Sequence, residues 1–162
     1  MKRGRFITFE GGEGSGKSTQ ARLLADRLRG AGLDVIVTRE PGGTPLGEAI
    51  RSLILGSKPA PYAEFLLFAA ARAEHVARVI APALERGAWV VSDRFTDSTR
   101  VYQQRLAGID GALVAAVEAA TTQGAMPDIT LLLDLDPETG LARAMRRGDA
   151  NQIGRASCRE RV

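Results

Sequence analysis

The chain has 162 residues, of which 44% are hydrophobic and 25% charged, with a net charge of +3; that suits one α/β domain large enough to bury a core. Its single cysteine, Cys158, excludes a disulfide framework or a zinc site within one chain. No apolar run approaches the roughly 18 residues needed to cross a bilayer, the stretch after Met1-Lys2-Arg3 is too short for a signal peptide, and no basic run interleaved with aromatics marks a nucleic-acid surface, so a cytoplasmic location is expected.

In chain order, Phe6–Phe9 reads as a short buried strand and Thr19–Gly30 as an amphipathic helix. Leu23, Leu24 and Leu28 form its apolar side, and Gly30 and Gly32 stop it. Val35–Thr38 is a second strand, followed by a turn-rich loop, Arg39-Glu40-Pro41-Gly42-Gly43. Leu46–Leu55 is a short helix. Glu64–Arg86 is a long one, which Pro82 should kink or restart. Trp89–Ser92 is a third strand, Gly111–Thr122 an alanine-rich helix, Ile129–Leu133 a fourth strand and Pro137–Arg147 a final helix. Strands apolar on both faces, separated by helices, predict a parallel sheet covered by helices on both sides, with ligand at the carboxyl ends of the strands.

One such end carries Gly11-Gly12-Glu13-Gly14-Ser15-Gly16-Lys17-Ser18, which fits G-x-x-x-x-G-K-[ST] between a strand and a helix. The glycines let main-chain N–H groups turn inward onto phosphate oxygens, and the helix start adds partial positive charge. Lys17 can reach the β- and γ-phosphates of a nucleotide, and Ser18 can ligate Mg²⁺. Asp93, at the end of the third strand, can hold the waters of that ion, with Arg94 beside it to grip phosphate. Asp134 ends another apolar strand and competes for the same role; the neighbouring arginine favours Asp93.

Other residues carry weaker signals. Phe68 and Arg72 lie on one helical face at i, i+4, an arrangement that can stack on and hydrogen-bond a nucleobase; taken alone, the pair reads more simply as a core phenylalanine and a solvated arginine. Tyr102 and Gln103 follow Ser98-Thr99 in a loop-to-helix stretch and can read a sugar or base. Arg143, Arg146 and Arg147 form either a cationic lid over phosphates or the ordinary basic end of a helix. His75, the only histidine, reads as a solvated residue of the long helix.

Taken together these pieces resemble the bacterial thymidylate kinase (dTMP kinase) family. The matching segments are Phe9-Glu10-Gly11 through Ser18-Thr19, Thr38-Arg39-Glu40-Pro41-Gly42-Gly43-Thr44, Phe68-Ala69-Ala70-Ala71-Arg72, Asp93-Arg94 with Ser98, Tyr102 and Gln103, and Pro127–Asp134. The Arg-Glu-Pro-Gly-Gly segment is the most specific of them.

The resemblance implies a P-loop kinase fold over residues 1–150, and transfer of the γ-phosphate of ATP to dTMP with Mg²⁺, giving dTDP on the route to dTTP. It assigns the ATP phosphates to Gly11, Gly12, Glu13, Gly14, Ser15, Gly16, Lys17, Ser18 and Thr19. It assigns dTMP to Glu13, Phe68, Arg72, Ser98, Thr99, Tyr102 and Gln103, with Phe68 on thymine, Arg72 on its carbonyl and Tyr102 against the sugar. Arg94 and Arg39 would face the phosphates. Arg143 and Arg147 would belong to a lid. A homodimer is also implied.

Two departures bear on these expectations. Gln104 stands where the family usually has glycine. After about Ala150 the pattern stops, and residues 151–162 read as an atypical tail of foreign origin, from a frameshift, a premature end or an assembly error. The fold is then expected to lack its last strand and helices, with poor stability and low or no turnover. An impaired nucleotide-binding fragment is thus the alternative reading. A further one is another small-molecule kinase with the same loop. A GTP switch needs Asn-Lys-x-Asp, and the only asparagine, Asn151, is in no such motif.

Overall fold

Alternate residues of a strand face opposite sides of a sheet, and β1 (Phe6–Gly11) is apolar on both. Phe6, Ile7, Thr8 and Phe9 are all buried, which makes β1 a central strand. A computed structural model describes residues 3–146; Arg147 and the expected foreign tail, 151–162, lie outside the described residues. The sheet runs β2 (Val35–Arg39), β3 (Trp89–Asp93), β1, β4 (Ile129–Leu133), and every pairing is parallel. In register, Phe9 and Arg39 both lie opposite Asp93, and Gly11 lies opposite Leu133. The carboxyl ends of all four strands therefore open on one side.

One face is covered by α1 (Lys17–Gly30), whose Ala21 and Ala25, with Leu24 and Leu28, pack on Ile7, Phe9, Val35 and Val91. This corrects the expected stripe: Leu23 is 57% exposed. The packed positions follow i, i+3, i+4, i+7 from Ala21, and small alanines at two of them let the helix approach the sheet closely.

The other face is covered by a long helical run. It consists of α3 (Pro61–His75), a π-helical turn at Val76–Ile80 and α4 (Ala81–Glu85). Val76, Ile80, Ala83 and Leu84 pack against Phe6, Val90 and Phe95. Pro82 has no N–H to continue the ladder. The helix widens just before it, with Ala81 N–H reaching back to Val76 O, five residues away. The interruption expected at Pro82 is thus a widened turn and not a break.

Before these come α2 (Pro45–Ser57), with Thr44 Oγ1 accepting from Gly47 N–H at 2.9 Å and Pro45 at the first helical position. After β3 come α5 (Thr96–Thr99) and a second π-helical run, Arg100–Leu106, so Tyr102, Gln103 and Gln104 are helical. Next are α6 (Gly111–Thr122), capped by Asp110, and, after β4, α7 (Pro137–Arg146). On β4 the cover is incomplete: Ile129, Leu131 and Leu132 are exposed among the described residues. No described helix is long and apolar enough to cross a membrane.

Candidate functional site

The phosphate loop follows β1 as expected. Gly14 and Gly16 both adopt positive φ (71° and 95°), which costs glycine nothing and an L side chain a good deal. Gly16 caps α1 with no side-chain hydrogen bond, and no acidic residue lies in the first turn. Among the described residues the N–H groups of Lys17 and Ser18 are therefore free for an anion. Thr19, exposed in that turn, bonds back to Gly16 O through its N–H. Lys17 is buried and curls over the loop, its Nζ donating to Gly12 O (2.7 Å) and approaching Ser15 Oγ (3.4 Å). Burial, with Arg94 adding to it, lowers its ammonium from 10.5 to about 8, against the pull of Asp93, Glu13 and Glu10.

Ser18 Oγ donates to Asp93 Oδ2 across the cleft between α1 and β3. Asp134, the competing aspartate, lines a different cavity, near Glu10 and Pro137. A hydroxyl and a carboxylate in contact are hard oxygen donors, and among the described residues no group of three or more His, Cys, Asp or Glu could hold a metal. Few protein ligands and open coordination positions suit Mg²⁺, which keeps its waters and shares phosphate oxygens. Arg39 lines the same cleft as Ser18 and Asp93, but its Nη2 donates to Glu48 Oε2 at 2.8 Å. That bond holds the Glu48 carboxyl below its ordinary value.

Beside the loop lies a second cavity. Its lining includes Glu13, Phe68, Arg72, Arg94, Ser98, Thr99, Tyr102 and Gln103. All seven residues that the family resemblance assigns to the monophosphate are among them. Arg94 sits at the junction, donating through Nη2 to Glu13 Oε1 (2.8 Å) and through Nη1 to Ser98 Oγ (3.1 Å) and Tyr102 OH (3.3 Å), over the Tyr102 ring. Phe68 is half-buried, packed beside Ile50 and Ile54. Thr99 Oγ1 accepts from Arg72 Nη2 (2.9 Å), and Gln103 donates its amide to Glu64 (2.9 Å), so these two side chains brace the wall.

Arg72 is not solvated but buried, its Nε donating to Glu40 Oε2 at 2.8 Å. His75 is likewise not solvated: it is 0% exposed, between Glu40 and Thr38. The sequence contained a signal for this. Phe68, Arg72 and His75 fall at i, i+4, i+7, one face of α3. Two more polar residues escaped notice. Arg51 reaches the cavity from α2 and donates to Pro41 O (3.2 Å), with burial and Arg39 lowering its guanidinium from the ordinary value. Glu10 accepts from Phe95 N–H and Ser98 Oγ, both at 2.7 Å, while burial raises its carboxyl. The Glu10 contacts span 85 and 88 residues and the Arg51 contact spans 10, and no helical or strand spacing announces either.

Arg143 and Arg146 are exposed on α7, away from the lining of either cleft; Arg147 is outside the described residues. The same helix nevertheless touches the loop. A Cβ on Gly14 would lie 2.0 Å from Gly140 O, and one on Gly140 would lie 2.4 Å from Glu13 O. Only two glycines allow this approach.

A parallel sheet, a glycine loop at a strand's carboxyl end and a helix start aimed into a cleft define a P-loop nucleotide-binding domain. The family model described as thymidylate kinase matches residues 9–158. The thymidylate kinase of Nitrobacter hamburgensis is 57% identical over 152 residues, covering 91% of this chain and 66% of that protein. That of Afipia carboxidovorans is 55% identical over 148 residues, covering 90% and 65%. The crystal structure of thymidylate kinase from Ehrlichia chaffeensis superposes with a TM-score of 0.78 at 38% identity, covering 91% of this chain and 90% of that one. The chain belongs to the thymidylate kinase family, and it spans about two thirds of the length of these two sequence relatives.

Proposed function

We propose that the chain carries the catalytic centre for transfer of the γ-phosphoryl group of ATP to dTMP, giving dTDP and ADP, a step towards dTTP. The observation that carries this reading is the shared wall between two sites. Glu13 belongs to the phosphate loop and also lines the cavity holding Phe68, Arg72 and Tyr102. A donor triphosphate on the loop and an acceptor monophosphate in the cavity would meet at Arg94.

Phosphoryl transfer asks little covalent work of a protein; alignment and neutralisation of charge do most of it. Lys17 would exchange Gly12 O for phosphate oxygens, and the first N–H groups of α1 would complete the cradle. Ser18 and Asp93 would hold Mg²⁺, which when bound would neutralise charge on the phosphate oxygens. Arg94 and Arg39 would grip phosphates, Arg39 by leaving Glu48. Phe68 would stack on thymine, Arg72 would donate to its carbonyl, and Tyr102 would lie against the sugar and disfavour a 2′-hydroxyl. Arg143 and Arg147 would close as a lid and exclude water.

A thermal-shift panel tests the assignment, because a ligand that binds the native state raises its melting temperature. dTMP should raise it more than dUMP, AMP, CMP or shikimate. A shift with AMP or shikimate and none with dTMP would overturn the reading in favour of another kinase with this loop.

A homodimer and a cytoplasmic location belong to the same proposal. Leu46, Leu53, Tyr62 and Leu66 are exposed on α2 and α3, an apolar surface that a second copy would cover. Sedimentation velocity at micromolar concentration should give a dimer; a monomer throughout would remove this part.

A further inference from the structure

A buried chain of side chains runs between the two clefts. Thr38 lines the phosphate-side cleft, and Glu40 and Arg72 line the base-side cavity. His75 lies between them without solvent contact. Its Nε2 is 2.7 Å from Thr38 Oγ1 and its Nδ1 is 3.0 Å from Glu40 Oε1. The other oxygen of Glu40 accepts from Arg72 Nε at 2.8 Å. Phe95 O (3.2 Å) and Thr99 Oγ1 (2.9 Å) accept from Arg72 Nη2. Arg72 Nη1 has no protein partner among the described residues, yet no buried side-chain nitrogen or oxygen there is left without one. Arg72 itself lines the base-side cavity, and Nη1 is the guanidinium nitrogen that no described residue holds there.

The arrangement fixes a long, flexible side chain before any ligand arrives. A free arginine would lose several torsions on binding; this one has lost them already. Glu40 can hold the guanidinium in one orientation only if its own carboxylate cannot swing, and His75 supplies the second anchor. With its proton on Nδ1, the ring donates to Glu40 and accepts from the Thr38 hydroxyl, while Glu40 and Arg72 cancel in charge. Gly43 seals the ring: a Cβ there would lie 2.6 Å from His75 Nε2 and 2.5 Å from Thr38 Oγ1.

We propose that His75, acting through Glu40, is a positioning residue that holds Arg72 Nη1 toward the base of the bound monophosphate. The proposal rests on the nucleotide reading above. His75 itself touches no ligand.

Calorimetric titration of the purified chain with dTMP, with 2-deoxyribose 5-phosphate, which lacks the base, and with ATP tests it. In His75→Gln the amide reaches the Nε2 position, keeps Thr38 and leaves Glu40 without its donor. dTMP should then bind about tenfold more weakly, with ATP and the sugar phosphate within about twofold of wild type. His75→Asn places its amide near the Nδ1 position and should restore most of the loss. In an Arg72→Gln background, His75→Gln should cost nothing further. Equal weakening of all three ligands, or a full additional loss in that background, would overturn the proposal. Should His75→Gln not fold, Glu40→Gln carries the same ligand comparison with the same expected pattern. A wild-type chain that binds no dTMP sinks the functional reading and this inference with it. A wild-type chain that binds dTMP, matched by His75→Gln, sinks the positioning role alone.

Discussion

Arg94 and Glu13 face each other at the mouth of the phosphate loop, Nη2 to Oε1 at 2.8 Å. Arg94 sits directly after β3 in a left-handed conformation (φ 73°), and its N–H donates to Phe9 O, so backbone and side chain tie β3, β1 and the loop together. The planar fork spans Glu13 on one arm and Ser98 with Tyr102 on the other, which a lysine cannot do. Arg94→Lys should weaken dTMP by about tenfold or more, the scale of a lost charge-assisted contact. ADP binding should move much less. Calorimetric titrations of both ligands check this; equal losses would place Arg94 in the structure of the loop and not at the acceptor phosphate.

Lys17 predicts a trade between stability and function. Its ammonium titrates at about 8 in the folded chain against 10.5 ordinarily. At pH 7 both folded and unfolded chains are protonated there, so the folded chain carries the whole cost of burying the charge. Lys17→Met should therefore raise apo stability at pH 7 by about 2 kcal/mol, after allowing for the lost bond to Gly12. Between pH 8 and 10.5 the folded wild-type chain sheds its proton first, so its deficit should shrink and be gone above 10.5. The same variant should lose its ATP-dependent thermal shift. Melting curves across this pH range, with and without ATP, report both effects.

Phe68 lines the cavity and is its proposed stacking platform. Loss of an aromatic under a base costs about 1–3 kcal/mol, so Phe68→Ala should weaken dTMP by about ten- to a hundredfold. It should also cost some stability through its packing beside Ile50 and Ile54. Binding of 2-deoxyribose 5-phosphate should change little, and a titration of each ligand separates the two contributions.

Gly140 should tolerate no side chain. Gly140→Ala would place a Cβ 2.4 Å from Glu13 O, pushing α7 off the phosphate loop or distorting the loop itself. Overpacking of this kind costs about 1–3 kcal/mol. The expected result is a lower melting temperature together with weaker ATP binding. Alanine at Gly56, where a Cβ meets nothing within 4 Å, provides the control.

Much of this site was legible because its signals are local. The phosphate loop is one contiguous segment whose glycines announce a turn, and Phe68 with Arg72 share a helix face by simple spacing. The arginine after Asp93 favoured it over Asp134, but the sequence left the choice open; in the fold it is Asp93 that meets Ser18. What escaped was set by tertiary packing. Leu23 is exposed because α1 approaches the sheet through Ala21 and Ala25, which a count of leucines does not reveal. His75 was misread because its partners, Thr38 on β2 and Glu40 just after it, lie 37 and 35 residues earlier in the chain. Arg51 likewise acquires its role only when α2 folds back beside Pro41, and Glu10 only when β1 lies beside the segment that follows β3.

The most direct test follows phosphate itself. Purified chain in molar excess over dTMP, a format that registers even slow turnover, should with Mg²⁺ and γ-labelled ATP yield labelled dTDP, with no product when Mg²⁺ is chelated or when Asp93 is changed to Asn. Label that passes only to water, or to AMP in preference to dTMP, would contradict the account.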